Sequence, residues 1–273
     1  MVNTALQMGM TDTAVAVLFA LVCWWFGTGI ILLLNRLPAQ SFRWSLGGWT
    51  VLLFLSLWGV QISMGSHSVS NAFIGFGSVI VMWGWHELAF LTGSVTGPRR
   101  VPQDPDARGW VRLRQAIAVI LHHELALIAN FGLLLAMQSG QPNHLAVCTF
   151  ALLWCMRVSA KLNLYFGVPR TGADYLPQHL KYLASYFVEK PVGLWFAFST
   201  GLACCMWVWM LVQAQSPSQS LTTGWVLLAS LLGLAIVEHA LMILPVPLER
   251  VWAWALERQH VAVFTAPAPL ESK

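Results

Sequence analysis

The sequence predicts an all-α, polytopic membrane protein. It is read as a seven-transmembrane-helix bundle with a periplasmic N-terminus and a cytoplasmic C-terminus. Three observations lead there. Of 273 residues, 57% are hydrophobic and 10% are charged, where soluble domains carry roughly 25% charged residues. The apolar residues gather into seven runs, each near the length of about 20 helical residues that a bilayer core requires. The Lys and Arg residues fall on one side of the resulting fold only.

The spans run over 13–34, 45–64, 71–92, 113–137, 144–166, 191–213 and 222–244. Asp12 and Thr13 precede the first, and Asn35-Arg36 ends it. Arg43 precedes the second, which reaches a short polar tip at 65–71. The third enters a polar loop, Gly97-Pro98-Arg99-Arg100 through Arg108. The fourth follows Arg112 and Arg114. Residues 138–143 form a tight turn containing Pro142, and the fifth span ends near Gly167 and Pro169. Pro191 suits the first turn of the sixth helix, where a missing N–H costs nothing. Pro245 and Pro247 stop the seventh.

Residues 1–13 and the turns 65–71, 138–143 and 214–221 contain no Lys or Arg, so all 15 lie toward the other side. The positive-inside rule turns this asymmetry into an N-terminus outside and a C-terminus in the cytoplasm. Residues 1–13 lack the basic n-region of a cleavable signal peptide, so the first run is expected to stay as a span. The five cysteines all lie in apolar runs without a CxxC motif, which argues against a disulfide framework or a zinc ribbon. Two segments on the basic side, 175–190 and 248–260, read as amphipathic helices on the membrane surface. In the first, Leu180, Leu183, Ala184, Phe187 and Val188 make one apolar stripe. In the second, Trp252, Trp254 and Leu256 alternate with charged residues.

The chain is organised around Leu121-His122-His123-Glu124-Leu125, inside the fourth span. Ionisable residues there are expensive, and each needs a partner at its own depth. His86 and Glu87 in the third span, and Glu238 and His239 in the seventh, lie about six residues from the basic ends of their helices, roughly 9 Å at 1.5 Å per residue. Arg157, Lys161 and Asn163 occupy the same third of the fifth span as a polar network. The third, fourth and seventh spans are therefore expected to be neighbours at this level.

Three uses compete for the layer. His86, Glu87, His123, Glu124, Glu238 and His239 are candidate ligands for iron, zinc or manganese, which accept imidazole and carboxylate. The Glu-x-x-His spacing of a carboxylate-bridged di-iron bundle is absent, however. One of His86, His122, His123 or His239 is a candidate axial ligand for a magnesium tetrapyrrole with nearby Trp and Phe as its apolar wall. The third use is structural, with pairs that tie helices together. Gly-rich phosphate loops, G-x-S-x-G and the histidine boxes of membrane desaturases are all missing, and no patch resembles a nucleic-acid groove.

Trp85-His86-Glu87-Leu88-Ala89-Phe90-Leu91-Thr92-Gly93, followed by Gly97-Pro98-Arg99, resembles the PuhE family. So do His122-His123-Glu124-Leu125-Ala126, the run from Ser159 through Lys161 and Asn163 to Pro169, and the run from Leu176 to Phe187. The resemblance covers roughly residues 75–245. Members are photosynthetic complex assembly proteins of purple phototrophic bacteria, encoded near the reaction-centre H subunit. The resemblance implies an inner-membrane helper, plausibly in the intracytoplasmic photosynthetic membrane. Its partners would be lipids, reaction-centre or light-harvesting subunits and bacteriochlorophyll. It implies no catalytic residues, so a metal-dependent membrane enzyme acting on a tetrapyrrole or lipid stays open beside it.

Overall fold

A computed structural model describes residues 2–245 together with Trp252 and Trp254, and side chains from Asp12 onward. Seven α-helices carry the chain: α1 (Val2–Asn35), α2 (Phe42–Met64), α3 (Val69–Leu91), α4 (Gly109–Gln138), α5 (Leu145–Phe166), α6 (Leu194–Gln213) and α7 (Gln219–Leu241). All seven are long and apolar enough to cross a membrane. Among the described residues there is no β-strand. In hydrocarbon this is the expected solution, because a helix satisfies its own backbone. The helix starts follow local chemistry. Ser68 Oγ accepts the Asn71 N–H (3.1 Å) and caps α3. α6 begins at Leu194, past Pro191, with extended Gly193 (φ −95°, ψ 169°) just before it. Glycine is a poor helix former, and the helix starts beyond it.

α3 is the centre of the bundle. It touches α1, α2, α4, α5 and α7, and 56% of its span is buried against 11% for α2. The odd-numbered helices run in the same direction and pack on one another. Gln219 of α7 bonds Asp12 of α1 near one end, and Trp24 of α1 bonds Glu238 of α7 toward the other. α2 lies on α3, α4 on α5 and α3, and α6 on α7. One core cluster, including Phe76, Leu227, Leu228 and Leu232, joins α1, α3 and α7. A second, including Val60, Met82, Leu127, Leu134 and Phe150, joins α2 to α5.

Tryptophans fasten the bundle. Trp49 Nε1 donates to the Val81 carbonyl (2.9 Å), Trp85 Nε1 to Thr50 Oγ1 (2.9 Å) and Trp207 Nε1 to the Ala229 carbonyl (3.0 Å). In each case the ring fills an interface and the N–H finds an acceptor on the next helix. Most of the segment 248–260 lies outside the described residues. Trp252 and Trp254 are within them and pack on α1: Trp252 Nε1 donates to the Trp25 carbonyl (3.1 Å), and Trp254 stacks on Phe26.

The loop between α3 and α4 folds back along α4. Val95 N–H donates to the Ala89 carbonyl (2.9 Å), and His123 N–H donates to the Thr96 carbonyl (2.9 Å). Gly97 is buried against α4, where a Cβ would land on the backbone of Ala118 and Val119. α4 has 30 residues, about 45 Å at 1.5 Å each, and is therefore longer than a hydrocarbon core of about 30 Å is thick.

The segment expected to lie on the membrane surface packs its apolar row onto protein. Gln178–Tyr186 is a 3-10 helix. At three residues per turn, side chains at i and i+3 eclipse, so Leu180, Leu183 and Tyr186 form one row. That row is buried on Phe90 and Val119. Tyr186 Oη accepts from Arg99 Nε (2.8 Å) and donates to the Val101 carbonyl (3.0 Å). Gln178, Lys181 and Ser185 are exposed on the other side.

Candidate functional site: an intramembrane polar layer beside an apolar cavity

α5 organises the polar layer. Its sequence Arg157-Val158-Ser159-Ala160-Lys161 sends three polar side chains to three helices. Arg157 pairs with Glu87 of α3 (2.5 Å), and Lys161 pairs with Glu124 of α4. Ser159 Oγ meets His239 Nε2 of α7 (2.9 Å). His239 Nδ1 lies 2.9 Å from the Ala235 carbonyl, which can only accept. In a neutral ring this places the proton on Nδ1, so Nε2 accepts from Ser159. One turn on, Asn163 is buried, and its Nδ2 donates to Ser199 Oγ of α6 (3.3 Å).

The sequence-derived layer thus divides in three. Glu87, Arg157 and Glu238 face the α1 side of α3. His86, His123, Glu124 and Lys161 lie toward α4. His239 sits between α5 and α7. The expectation that the third, fourth and seventh spans share one site requires correction: α5 stands between α4 and α7. Ser159 and Trp154 are not among the candidate residues of the sequence. Trp24 Nε1 donates to Glu238 Oε1 (2.7 Å), and Trp154 Nε1 to Glu124 Oε2 (3.2 Å). Trp154 shares its span with Arg157 and Lys161 and Ser159 lies between those two, whereas the span of Trp24 carries no Asp, Glu, Lys, Arg or His.

His86 and His123 are 3% and 1% exposed, with ring centroids 6.5 Å apart. Phe90 and Phe150 close the pair. All four ring nitrogens are buried without a hydrogen-bond partner. The nearby carboxylates are engaged elsewhere, Glu87 with Arg157 and Glu124 with Lys161. Among the described residues, no group of three or more His, Cys, Asp or Glu side chains is placed to hold a metal ion. A zinc site of structural or catalytic type draws at least three protein ligands, so the candidate iron, zinc or manganese ligands do not fit that role as placed.

The tetrapyrrole candidates divide differently. His86 and His123 are enclosed, and both nitrogens of His239 are occupied. His122 points the other way, exposed on the outer face of α4 beside exposed Leu125. Of the four, only His122 is exposed.

A cavity of about 540 Å³ adjoins the Glu87–Arg157 pair. Its walls come from α1, α2, α3, α5 and α7, and include Trp24, Trp49, Trp83, Gly27, Ile80 and Met156. Glu87, Arg157 and Glu238 line it toward the C-terminal ends of α3, α5 and α7. α1 and α2 both pack along α3 but scarcely touch each other. The cavity is therefore open sideways, at Phe26 and Leu52, which line it and are exposed.

Fold and site together define a seven-helix membrane protein whose intramembrane charges are paired between helices around a side-opening cavity. Over residues 10–262 the chain matches the family described as Protein of unknown function (DUF3623), and it belongs to that family. It is 35% identical over 274 residues to the "Uncharacterized 30.4 kDa protein in puhA 5′ region" of Rhodobacter capsulatus, covering 97% of this chain and 98% of that protein. No solved structure matches it.

Proposed function

We propose that this protein is an inner-membrane assembly factor for the photosynthetic reaction centre or light-harvesting complex, and that it holds or hands over a bacteriochlorophyll-type tetrapyrrole. The observation that carries the reading is the end-to-end similarity to the protein of the puhA 5′ region, in agreement with the motifs that resemble the PuhE family. The geometry supports a helper more readily than a catalyst. The charges of the polar layer are engaged in tying α3, α4 and α5 together, and α2 and α6 present broad apolar outer faces to neighbours in the membrane. The exposure of His122 on α4 supports it as the pigment ligand.

The test is purification in mild detergent from phototrophically grown cells. Reaction-centre or light-harvesting subunits should co-purify, and the absorption spectrum should carry a bacteriochlorophyll band. His122→Leu should remove that band while the protein accumulates normally. Colourless protein without those subunits would refute the reading. The alternative, a metal-dependent membrane enzyme, draws on the unpartnered nitrogens of His86 and His123. Elemental analysis decides it, since about one equivalent of iron, zinc or manganese, lost in His123→Ala, would favour the enzyme.

A further inference from the structure

Arg99 and Arg100, in the loop between α3 and α4, line an open groove of about 520 Å³ together with Arg114 and Gln115 of α4. The groove is built on backbone contacts. Gly97 is pressed against Ala118 and Val119, and Arg99 N–H donates to the Ala118 carbonyl (3.4 Å). The Arg99 side chain is fixed as well: Nε donates to Tyr186 Oη (2.8 Å) and Nη2 to the Pro102 carbonyl (2.9 Å), which leaves Nη1 without a protein partner. Gln115 Oε1 accepts from the Asp104 N–H (3.1 Å), so its amide N–H groups remain to donate. Arg100 and Arg114 are exposed. Among the described residues, no ion pair includes Arg99, Arg100 or Arg114. Asp104 and Asp106 belong to the same loop but do not line the groove. The side chains that line it therefore offer accessible donors and three positive charges, with no carboxylate among them.

We propose that this groove binds the phosphate of an anionic phospholipid. A guanidinium matches a pair of phosphate oxygens with parallel N–H bonds, and Arg99 is already held in place for that contact. A zwitterionic lipid brings an ammonium, which would meet three guanidinium groups and no lining carboxylate. The surroundings select a lipid over a soluble anion. Trp110 precedes Arg114 by four residues and Ile117 follows it by three, so the three are neighbours on one face of α4. Trp110 is 72% exposed and Ile117 45%, and exposed Val101 follows Arg100 in the loop. Apolar side chains beside unpaired arginines suit the level at which phosphate gives way to acyl chain, and Trp favours that level. Basic clusters at the ends of membrane helices recognise anionic headgroups in this way. A free phosphate or an acidic peptide would leave the apolar rim in water. The groove is a different site from His122 and from the cavity at Glu87, and the inference does not depend on the assembly reading.

The test is native mass spectrometry of the delipidated full-length protein in detergent, titrated with phosphatidylglycerol or phosphatidylcholine of the same acyl chains. The first equivalent of phosphatidylglycerol should bind about tenfold more tightly than phosphatidylcholine. Arg100→Gln combined with Arg114→Gln should abolish that preference and leave the elution volume unchanged, since neither side chain has a protein partner. Arg43→Gln combined with Arg170→Gln removes the same charge elsewhere on the basic side and should keep the preference. An excess of inorganic phosphate or of hexaglutamate should not displace the bound lipid. Equal binding of the two lipids would overturn the proposal, as would an Arg100/Arg114 variant that keeps the preference or an Arg43/Arg170 variant that loses it equally. Displacement by inorganic phosphate or by hexaglutamate would overturn it too, in favour of a soluble anion or an acidic protein. Should the Arg100/Arg114 variant fail to fold, the lipid comparison and the competition on the unmodified protein decide alone.

Discussion

Lys161 and Glu124 are each about one-fifth exposed, at 21% and 19% of their side chains, so the pair is largely withdrawn from solvent. Removing one partner of a buried pair strands the other charge, at a cost of about 3–5 kcal/mol, whereas replacing both with apolar groups of similar volume is often neutral. Thermal unfolding in micelles should therefore show Glu124→Ala strongly destabilised, and Glu124→Met combined with Lys161→Met restored to near wild type. A double variant as unstable as the sum of its singles would show that the pair is not what the two residues are for. Arg157 is more exposed, at 38%, where it borders the cavity. A second comparison separates the structure from the sequence pattern. Read from the pattern alone, Glu124 and Glu238 belong to one network, and their losses should overlap. In the structure Glu124 bonds Lys161 and Trp154, while Glu238 bonds Trp24. Their hydrogen-bond partners differ, and independent sites add within about 0.5 kcal/mol, so the destabilisations of Glu124→Ala and Glu238→Ala should sum in the double variant.

The α3–α4 loop and the 3-10 helix are the elements that complete the basic end of the bundle. Gly97 is needed where the loop backbone touches the α4 backbone: any Cβ there meets the Ala118 and Val119 main chain, not a side chain that can turn aside. Gly97→Ala should separate the loop from α4 and lower stability by more than about 2 kcal/mol, the scale of overpacking in a tight site. Faster amide exchange at His123, whose N–H donates to Thr96, would be the local signature. Leu183 is 4% exposed in the cluster with Phe90, Val119, Leu180 and Tyr186. Leu183→Ala should cost about 2–5 kcal/mol, as for other buried leucines. A loss near zero in the unfolding midpoint would mean that this row faces the membrane surface after all, as the amphipathic pattern by itself suggests.

For the whole molecule, the proposed orientation has a direct test. Reporter fusions after Gly65, Gly140 and Ser218 should read periplasmic, and fusions after Arg100 and Gly172 cytoplasmic. The junctions at Gly65 and Gly140 follow the ends of α2 and α4, and Ser218 precedes α7. A cytoplasmic signal at Gly140 would refute the orientation, because it requires α4 or a neighbour not to cross. The molecule has a marked division of labour. α3 and α7 supply the interior, α5 supplies the polar cross-ties, and α2 and α6 supply outward apolar surface. That surface is where a membrane subunit would dock in the proposed assembly role.

Seven helices were legible in the chain because apolar run length is a local property, and an unpaired backbone in hydrocarbon allows few alternatives. The placement of ionisable residues at one level was legible too, since depth follows from residue count and helical rise. Which groups meet was not. Neighbouring residues on a helix point about 100° apart, so His86 and Glu87 serve different faces of α3, and His122 and His123 different faces of α4. Leu180 and Leu183 belong to an α-helical stripe in the sequence pattern, and the 3-10 row they share with Tyr186, packed on Phe90 of α3 and Val119 of α4, depends on the tertiary structure. The role of Ser159, the indole bonds of Trp24 and Trp154, and the cavity between α1 and α2 likewise depend on which helices become neighbours. Helix packing and loop closure set that adjacency, through contacts far apart in the chain that no single span encodes.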